Sequence, residues 1–214
     1  MAKKNIVLDI DLTLAYTSEE SIDKLKEYKL MTNPDLYSIR KRLYRLDISD
    51  MDGIRGSGDN YVSFGFLRPH LDIFLKFIFE NFGIVAVWSA GRPKYVKSMI
   101  PVIFGDLYFP QLIYTFDECQ QPSTKELKVL LEEDVARKNG MTLNNTFVVD
   151  DYDKTFEKNP YNGILIPQYT PNLIDDSDKA LYELMTWFKK DGILNCDDIT
   201  KLNKDPQLIF NIKS

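Results

Sequence analysis

Asn5-Ile-Val-Leu-Asp-Ile-Asp-Leu-Thr-Leu14 begins with three apolar residues, Ile6, Val7 and Leu8, and then spaces Asp9, Asp11 and Thr13 two apart. A short unbroken apolar run suits a central parallel strand buried on both faces. Side chains alternate along a strand, so Asp9 and Asp11 are expected to project the same way from its carboxyl end. Open α/β sheets hold their ligands at that end. Two carboxylates together repel each other and are costly to desolvate, and a divalent cation or a catalytic role offsets that cost. The plainer reading of this stretch taken alone is a strand followed by an acidic turn.

Working outward, similar apolar runs recur at residues 83–88, 112–116, 146–149 and 163–167. Between them, helical spacing covers 69–82, 95–104, 123–138 and 177–190, with Leu71, Phe74, Leu75 and Ile78 along one face of the first. Strands alternating with helices imply βαβ units, an α/β class and a parallel sheet flanked by helices. Residues 15–66 interrupt this pattern and are read as an insertion after the first strand. It contains a polar helical segment from Ser18 to Glu27 and a basic run from Arg40 to Arg45. Two possible strands, 43–48 and 61–66, are joined by Asp- and Gly-rich turns. Leaving the sheet just after Asp11, the insertion should overhang the strand ends as a flap. The basic run is either a solvated face or a docking patch for an acidic or phosphorylated substrate.

The totals bound the possibilities. A chain of 214 residues, 44% hydrophobic with 13 Phe and 12 Tyr, can fill one core, so residues 1–214 are read as a single domain. A net charge of −5 disfavours nucleic-acid binding through an overall basic surface. Cys119 and Cys196 stand too far apart for a metal-ligand spacing or a disulfide framework, which fits a reducing compartment, cytoplasm or nucleus. Met-Ala-Lys-Lys leads straight into the first strand and leaves no room for a signal peptide. No apolar run reaches membrane-spanning length, and a monomer is expected.

Three strand ends carry polar residues: Asp9 with Asp11, Ser89, and Asp150 with Asp151. A carboxylate can attack a phosphoryl group, and phosphoryl transfer needs positioning and charge neutralisation above all. Mg²⁺ prefers oxygen ligands, which Asp9, Asp150 and a main-chain carbonyl beside Asp11 can offer. Asp11 can serve as general acid and base. Ser89 and the amides of Ala90 and Gly91 can hold phosphate oxygens near a helix start. Two lysines compete for the phosphate. Ser123-Thr-Lys-Glu126 fits a capping box, which would set Lys125 in the first helical turn, with Lys128 one turn on.

At this point the chain resembles the haloacid dehalogenase superfamily of aspartate-nucleophile phosphatases, and within it the FCP/SCP type. That type includes RNA polymerase II C-terminal-domain phosphatases and NLI-interacting-factor-like proteins. Asp9-Ile-Asp-Leu-Thr13 matches D-x-D-x-T, Phe66-Leu-Arg-Pro69 resembles the R-P segment, and Val87-Trp-Ser-Ala90 sits where the type has a strand-end Thr or Ser. Thr124-Lys-Glu-Leu127 resembles the K-D-L segment, which favours Lys125 over Lys128, and Val148-Val-Asp-Asp151 resembles V-D-D or V-D-N. The resemblance spans roughly residues 4–190 and implies a HAD-like Rossmannoid fold. It implies Asp9 as nucleophile and Asp11 as general acid/base. Thr13, Ser89, Ala90 and Lys125 would bind the phosphoryl group. Asp9, Asp11 and Asp150 would hold Mg²⁺, with Asp151 beside the metal. Leu12 and His70 depart from the Glu and Gly common at those places, and His70 is expected on a helix surface or in packing. The implied activity is Mg²⁺-dependent phosphomonoester hydrolysis on phosphoserine or phosphothreonine of a protein or peptide. The alternatives within the superfamily are a polynucleotide 3′-phosphatase or a small-metabolite phosphatase. A non-catalytic scaffold is a third reading.

Overall fold

The computed structural model describes residues 3–18, 20, 23, 32–119, 124–172 and 177–211. Five strands form a parallel sheet in the order β6-β5-β1-β7-β8. They are β1 (Asn5–Leu8), β5 (Val85–Trp88), β6 (Leu112–Tyr114), β7 (Thr146–Asp150) and β8 (Gly163–Leu165). The apolar run is thus the central strand, with Leu8 opposite Val87 on one side and Val149 on the other. Alternation splits the strand residues between two cores. Ile6, Leu8, Val87 and Val149 face one layer, which includes Phe74, Met99 and Leu184; Val7, Ala86, Trp88 and Val148 face the other, with Leu127 and Leu130. A sheet covered on both faces has no polar side to show, which is why its strands read as unbroken apolar runs.

The remaining strands, β2 (Ala15–Thr17), β3 (Leu43–Ile48) and β4 (Tyr61–Leu67), form an antiparallel sheet in the order β2-β4-β3. This is the insertion, and β3 shows true alternation: Tyr44, Leu46 and Ile48 are buried while Arg45 and Asp47 are exposed. The polar helical segment expected over 18–27 falls largely outside the described residues. Within the basic run, Arg42 donates to the Leu67 carbonyl at 2.5 Å and to the Tyr169 hydroxyl at 2.7 Å. Arg45 pairs with Asp47 at 3.1 Å.

The helices are α1 (Tyr37–Arg40), α2 (Leu71–Asn81), α3 (Pro93–Phe104), α4 (Leu127–Leu131), α5 (Asp134–Lys138) and α6 (Ala180–Phe188), followed by a short α7 (Pro206–Ile209). Two expectations need correction. Pro69 lies ahead of the first turn of α2, and His70 takes the N-cap in a left-handed conformation, φ 66°, with its ring 5.6 Å from that of Tyr182. The single helix read over 123–138 is two. Glu133 is extended at the second N-cap, and its carboxylate accepts a 2.7 Å bond from the Tyr114 hydroxyl. That anchor on β6 and the run Glu132-Glu133-Asp134 end one helix and start the next. The tail after residue 190 folds back on the first core, burying Ile199, Ile209 and Phe210. Among the described residues, no helix is long and apolar enough to cross a membrane.

Candidate active site

The strand ladder continues one residue past β1, with the Asp9 amide donating to the Val149 carbonyl at 3.0 Å. Asp9 therefore emerges directly beside the end of β7. Beyond it the chain turns sharply: the amides of Thr13, Leu14 and Ala15 all point at the Ile10 carbonyl, at 3.3, 2.9 and 3.1 Å. Leu12 pays for this turn with a left-handed φ of 58°, a conformation costing about 1–2 kcal/mol for a residue with a Cβ. Asp11 thus belongs to the turn rather than to the strand, yet both carboxylates line one cavity of about 360 Å³ with Ser89, Ala90, Lys125, Asp150 and Asp151.

Lys125 lies at the centre of the charges. Its Nζ is 2.6 Å from Asp9 Oδ1 and 2.5 Å from Asp150 Oδ2, and the residue is 2% exposed. The expected capping geometry does not place it there. Ser123 lies outside the described residues, Glu126 itself occupies the N-cap without a side-chain bond, and Lys125 precedes the helix. The support comes from a distant loop. Asn159 donates to the Lys125 carbonyl at 2.5 Å and accepts from the Leu127 amide at 3.2 Å. One side chain thus fixes the lysine and caps α4. Lys128 sits in that helix, outside the lining of the cavity.

Ser89, 1% exposed, closes β5, and its Oγ accepts the Gly91 amide at 3.0 Å. Thr13 is fully buried. Its hydroxyl donates to Asp151 Oδ1 at 3.4 Å, and its carbonyl accepts from Arg68 at 3.0 Å. Arg68 of the R-P segment is itself fully buried and pairs with Asp178 at 2.9 Å.

The electrostatics follow from burial. Desolvation pushes the Asp9 carboxyl well above its usual range, and Asp150 and Asp11 add to this while Lys125 opposes. Burial also raises Asp11, against hydrogen bonding from Tyr95 and the nearby Lys125 charge. Burial and then the Asp150 charge raise Asp151. For Lys125, burial works against the charge, but Asp9 and Asp150 outweigh it and hold the ammonium protonated. Oxygens of Asp9, Asp150 and Asp151 lie within 4.8 Å of one another. An all-carboxylate donor set of that size fits a hard divalent cation such as Mg²⁺. Asp151 thus belongs to the closest group, whereas the side chain of Asp11 turns away to the Tyr95 hydroxyl.

Tyr95 is a residue that the motif pattern did not single out. It lies in the first turn of α3, six residues past Ser89, and helical side chains lean back toward their N-terminus. Asn159 is another, and its reach to Lys125 across 34 residues leaves no local pattern.

Comparison with known proteins places this geometry. A family model described as NLI interacting factor-like phosphatase matches residues 4–200. Ubiquitin-like domain-containing CTD phosphatase 1 of Xenopus laevis is 27% identical over 92% of this chain and 64% of its own length. The Danio rerio protein of the same name is 29% identical over 93% of this chain and 66% of its own. The chain therefore spans slightly under two thirds of these curated relatives. A solved structure of fission yeast RNA polymerase II CTD phosphatase Fcp1, bound to beryllium fluoride, superposes with a TM-score of 0.61 at 17% identity, over 90% of this chain and 53% of that one. That likeness shows a shared fold. The chain belongs to the NLI interacting factor-like phosphatase family, the FCP/SCP type of the haloacid dehalogenase superfamily.

Proposed function

We propose that this chain hydrolyses phosphomonoesters of serine or threonine in an extended peptide, through an aspartyl-phosphate on Asp9. The observation that carries the reading is the buried Lys125 bridge between Asp9 and Asp150, in a cavity shared with Asp11 and Ser89. Three carboxylates around one ammonium are costly to bury for stability alone.

In the first step, an Asp9 oxygen forms a bond to phosphorus while the bond from phosphorus to the ester oxygen breaks. The leaving oxygen takes the electron pair and a proton from Asp11. Burial raises the Asp11 carboxyl, which favours its holding that proton. In the second step, Asp11 takes a proton from water as the water oxygen attacks phosphorus, which frees Asp9 and inorganic phosphate. Lys125 and Ser89 hold phosphoryl oxygens and balance their charge. Asp9, Asp150 and Asp151 would hold Mg²⁺, which when bound neutralises charge on the phosphoryl oxygens.

A peptide substrate is supported by the outer cavity, about 910 Å³, which adjoins the first at Asp11 and Leu12. Its walls include Tyr16, Met51, Tyr61 and Tyr95, and Arg92 is the one cation among the described residues that line it. Apolar and aromatic walls suit peptide side chains better than a nucleic-acid backbone, which needs several cations. The relatives' name, CTD phosphatase, points the same way.

Hydrolysis of p-nitrophenyl phosphate, with Mg²⁺ and with excess EDTA, tests the reaction on wild type and Asp9→Asn. Turnover that requires both Mg²⁺ and Asp9 is expected, with Asp9→Asn at least about 10³-fold slower. Unchanged turnover in Asp9→Asn would overturn the mechanism. Phosphopeptide, 3′-phosphorylated oligonucleotide and sugar phosphates, compared by kcat/KM, then test the substrate class.

A further inference from the structure

Asp11 is connected to the inserted sheet by a row of hydroxyls. The Tyr95 hydroxyl on α3 donates to Asp11 Oδ1. Thr17 Oγ1 on β2 lies 2.6 Å from the Tyr95 hydroxyl and 2.7 Å from that of Tyr44 on β3. The Tyr44 hydroxyl also lies 3.1 Å from the Tyr16 carbonyl. Each hydroxyl carries a single proton, and Tyr95 has committed its own to Asp11. The contact between Thr17 and Tyr95 therefore runs with Thr17 donating. A carbonyl can only accept, so the Tyr44 proton is shared between the Tyr16 carbonyl at 3.1 Å and Thr17 Oγ1 at the shorter 2.7 Å; the Thr17 and Tyr95 protons both point toward Asp11, an arrangement in which each bond polarises the next.

The backbone makes room for this row at two glycines. A Cβ on Gly65 in β4 would stand 2.3 Å from the Tyr44 hydroxyl and 2.2 Å from the Tyr16 carbonyl. A Cβ on Gly91 would stand 2.7 Å from the Tyr95 ring. Neither site tolerates a side chain while the tyrosines stay in place.

We propose that the hydroxyl row Tyr44–Thr17–Tyr95 is a positioning device through which the inserted sheet determines which oxygen of Asp11 carries the acid proton. The inference rests on the reading of Asp11 as general acid and extends it. With Oδ1 occupied as an acceptor, the proton on a neutral Asp11 belongs to Oδ2. From there it passes to the ester oxygen as the phosphorus–oxygen bond breaks, the electron pair going to that oxygen. With the flap in place Thr17 supports the Tyr95 hydroxyl; a displaced flap removes that support and leaves the Tyr95 bond to Asp11 weaker and less directed.

The dependence on leaving group separates this role from a merely structural one. A nitrophenolate departs with little help, whereas the alkoxide of serine needs the proton. In Tyr95→Phe, kcat on a phosphoserine peptide should fall about 10- to 100-fold and kcat on p-nitrophenyl phosphate by about 3-fold or less, with KM nearly unchanged for both. Thr17→Val, which removes only the link to the flap, should show the same inequality at smaller size, about 3- to 10-fold on the peptide. Circular dichroism and thermal melting check the fold, and Thr17→Val decides the matter if Tyr95→Phe does not fold. Equal losses on the two substrates, or no loss on the peptide, would overturn the positioning role. Wild-type protein without turnover on any phosphomonoester would instead overturn the parent reading, and this inference with it.

Discussion

The five-stranded sheet buries every residue of β1, β5 and β7, whereas β3 of the three-stranded sheet alternates buried with exposed positions. The first is covered by helices on both faces, and its strand ends and loops deliver charges: Asp9, Lys125, Asp150. The second packs Tyr44, Leu46 and Ile48 into the larger core and Phe64 and Phe66 into a small core on its other face, and its contribution to the site is uncharged: Thr17 and Tyr44. Displacing any strand of the first would open two cores at once, so groups mounted on its ends keep their distances. The second leaves Arg45, Asp47 and Val62 exposed, and regions with fewer buried contacts open first. The charges of the site therefore sit at the ends of the parallel sheet, and the insertion contributes hydroxyls beside them.

The largest expected break in this comparison is Lys125→Met. It leaves Asp9 and Asp150 buried and facing each other, and removing one partner of a buried ion pair costs about 3–5 kcal/mol. Urea unfolding in the presence of EDTA should show that loss, and an unchanged midpoint would mean the parallel sheet does not depend on its charges. Gly65→Ala attacks the other sheet. Its Cβ has no room beside the Tyr16 carbonyl, and overpacking of this kind costs about 1–3 kcal/mol. Amide exchange should quicken in β3 and β4 while β1 stays protected; equal loosening of both sheets would erase the distinction between them.

The smallest effect is expected at the exposed turn of the insertion. The amides of Gly56 and Gly58 donate to the Asp50 carboxylate and hold it below its ordinary range. A carboxyl lowered by folding stabilises the fold at pH above its unfolded value, and that gain disappears as pH falls through the lowered folded value. Asp50→Ala should therefore be slightly less stable than wild type at neutral pH, with the two converging in acid. Thermal melting across pH 2–7 reads the difference, and a gap that persists in acid would assign it to something other than ionisation.

Much of the parallel sheet was legible because each strand is short, apolar and bounded by turn residues. Strand ends at Asp9, Ser89 and Asp150 could be found for the same reason: a polar residue straight after an apolar run. The residues that hold the site together were harder to see. Asn159 caps a helix that begins at Leu127, and the local capping signal at Ser123 and Glu126 pointed to an earlier start. Tyr95 looked like one more apolar position on α3, since hydrophobic spacing does not reveal where a hydroxyl ends. The break at Glu133 depends on Tyr114, a partner that no window along one helix contains.

Arg68 sets a condition on how the molecule comes into being. It grips the Thr13 carbonyl, the Pro167 carbonyl and Asp178, partners 55, 99 and 110 residues away. A guanidinium buried without its counter-charge is strongly unfavourable. A chain emerging from the ribosome therefore has no stable way to set the turn that carries Asp11 until residue 178 has been made. Synthesis that stops short of that point yields strands and cores without a finished centre.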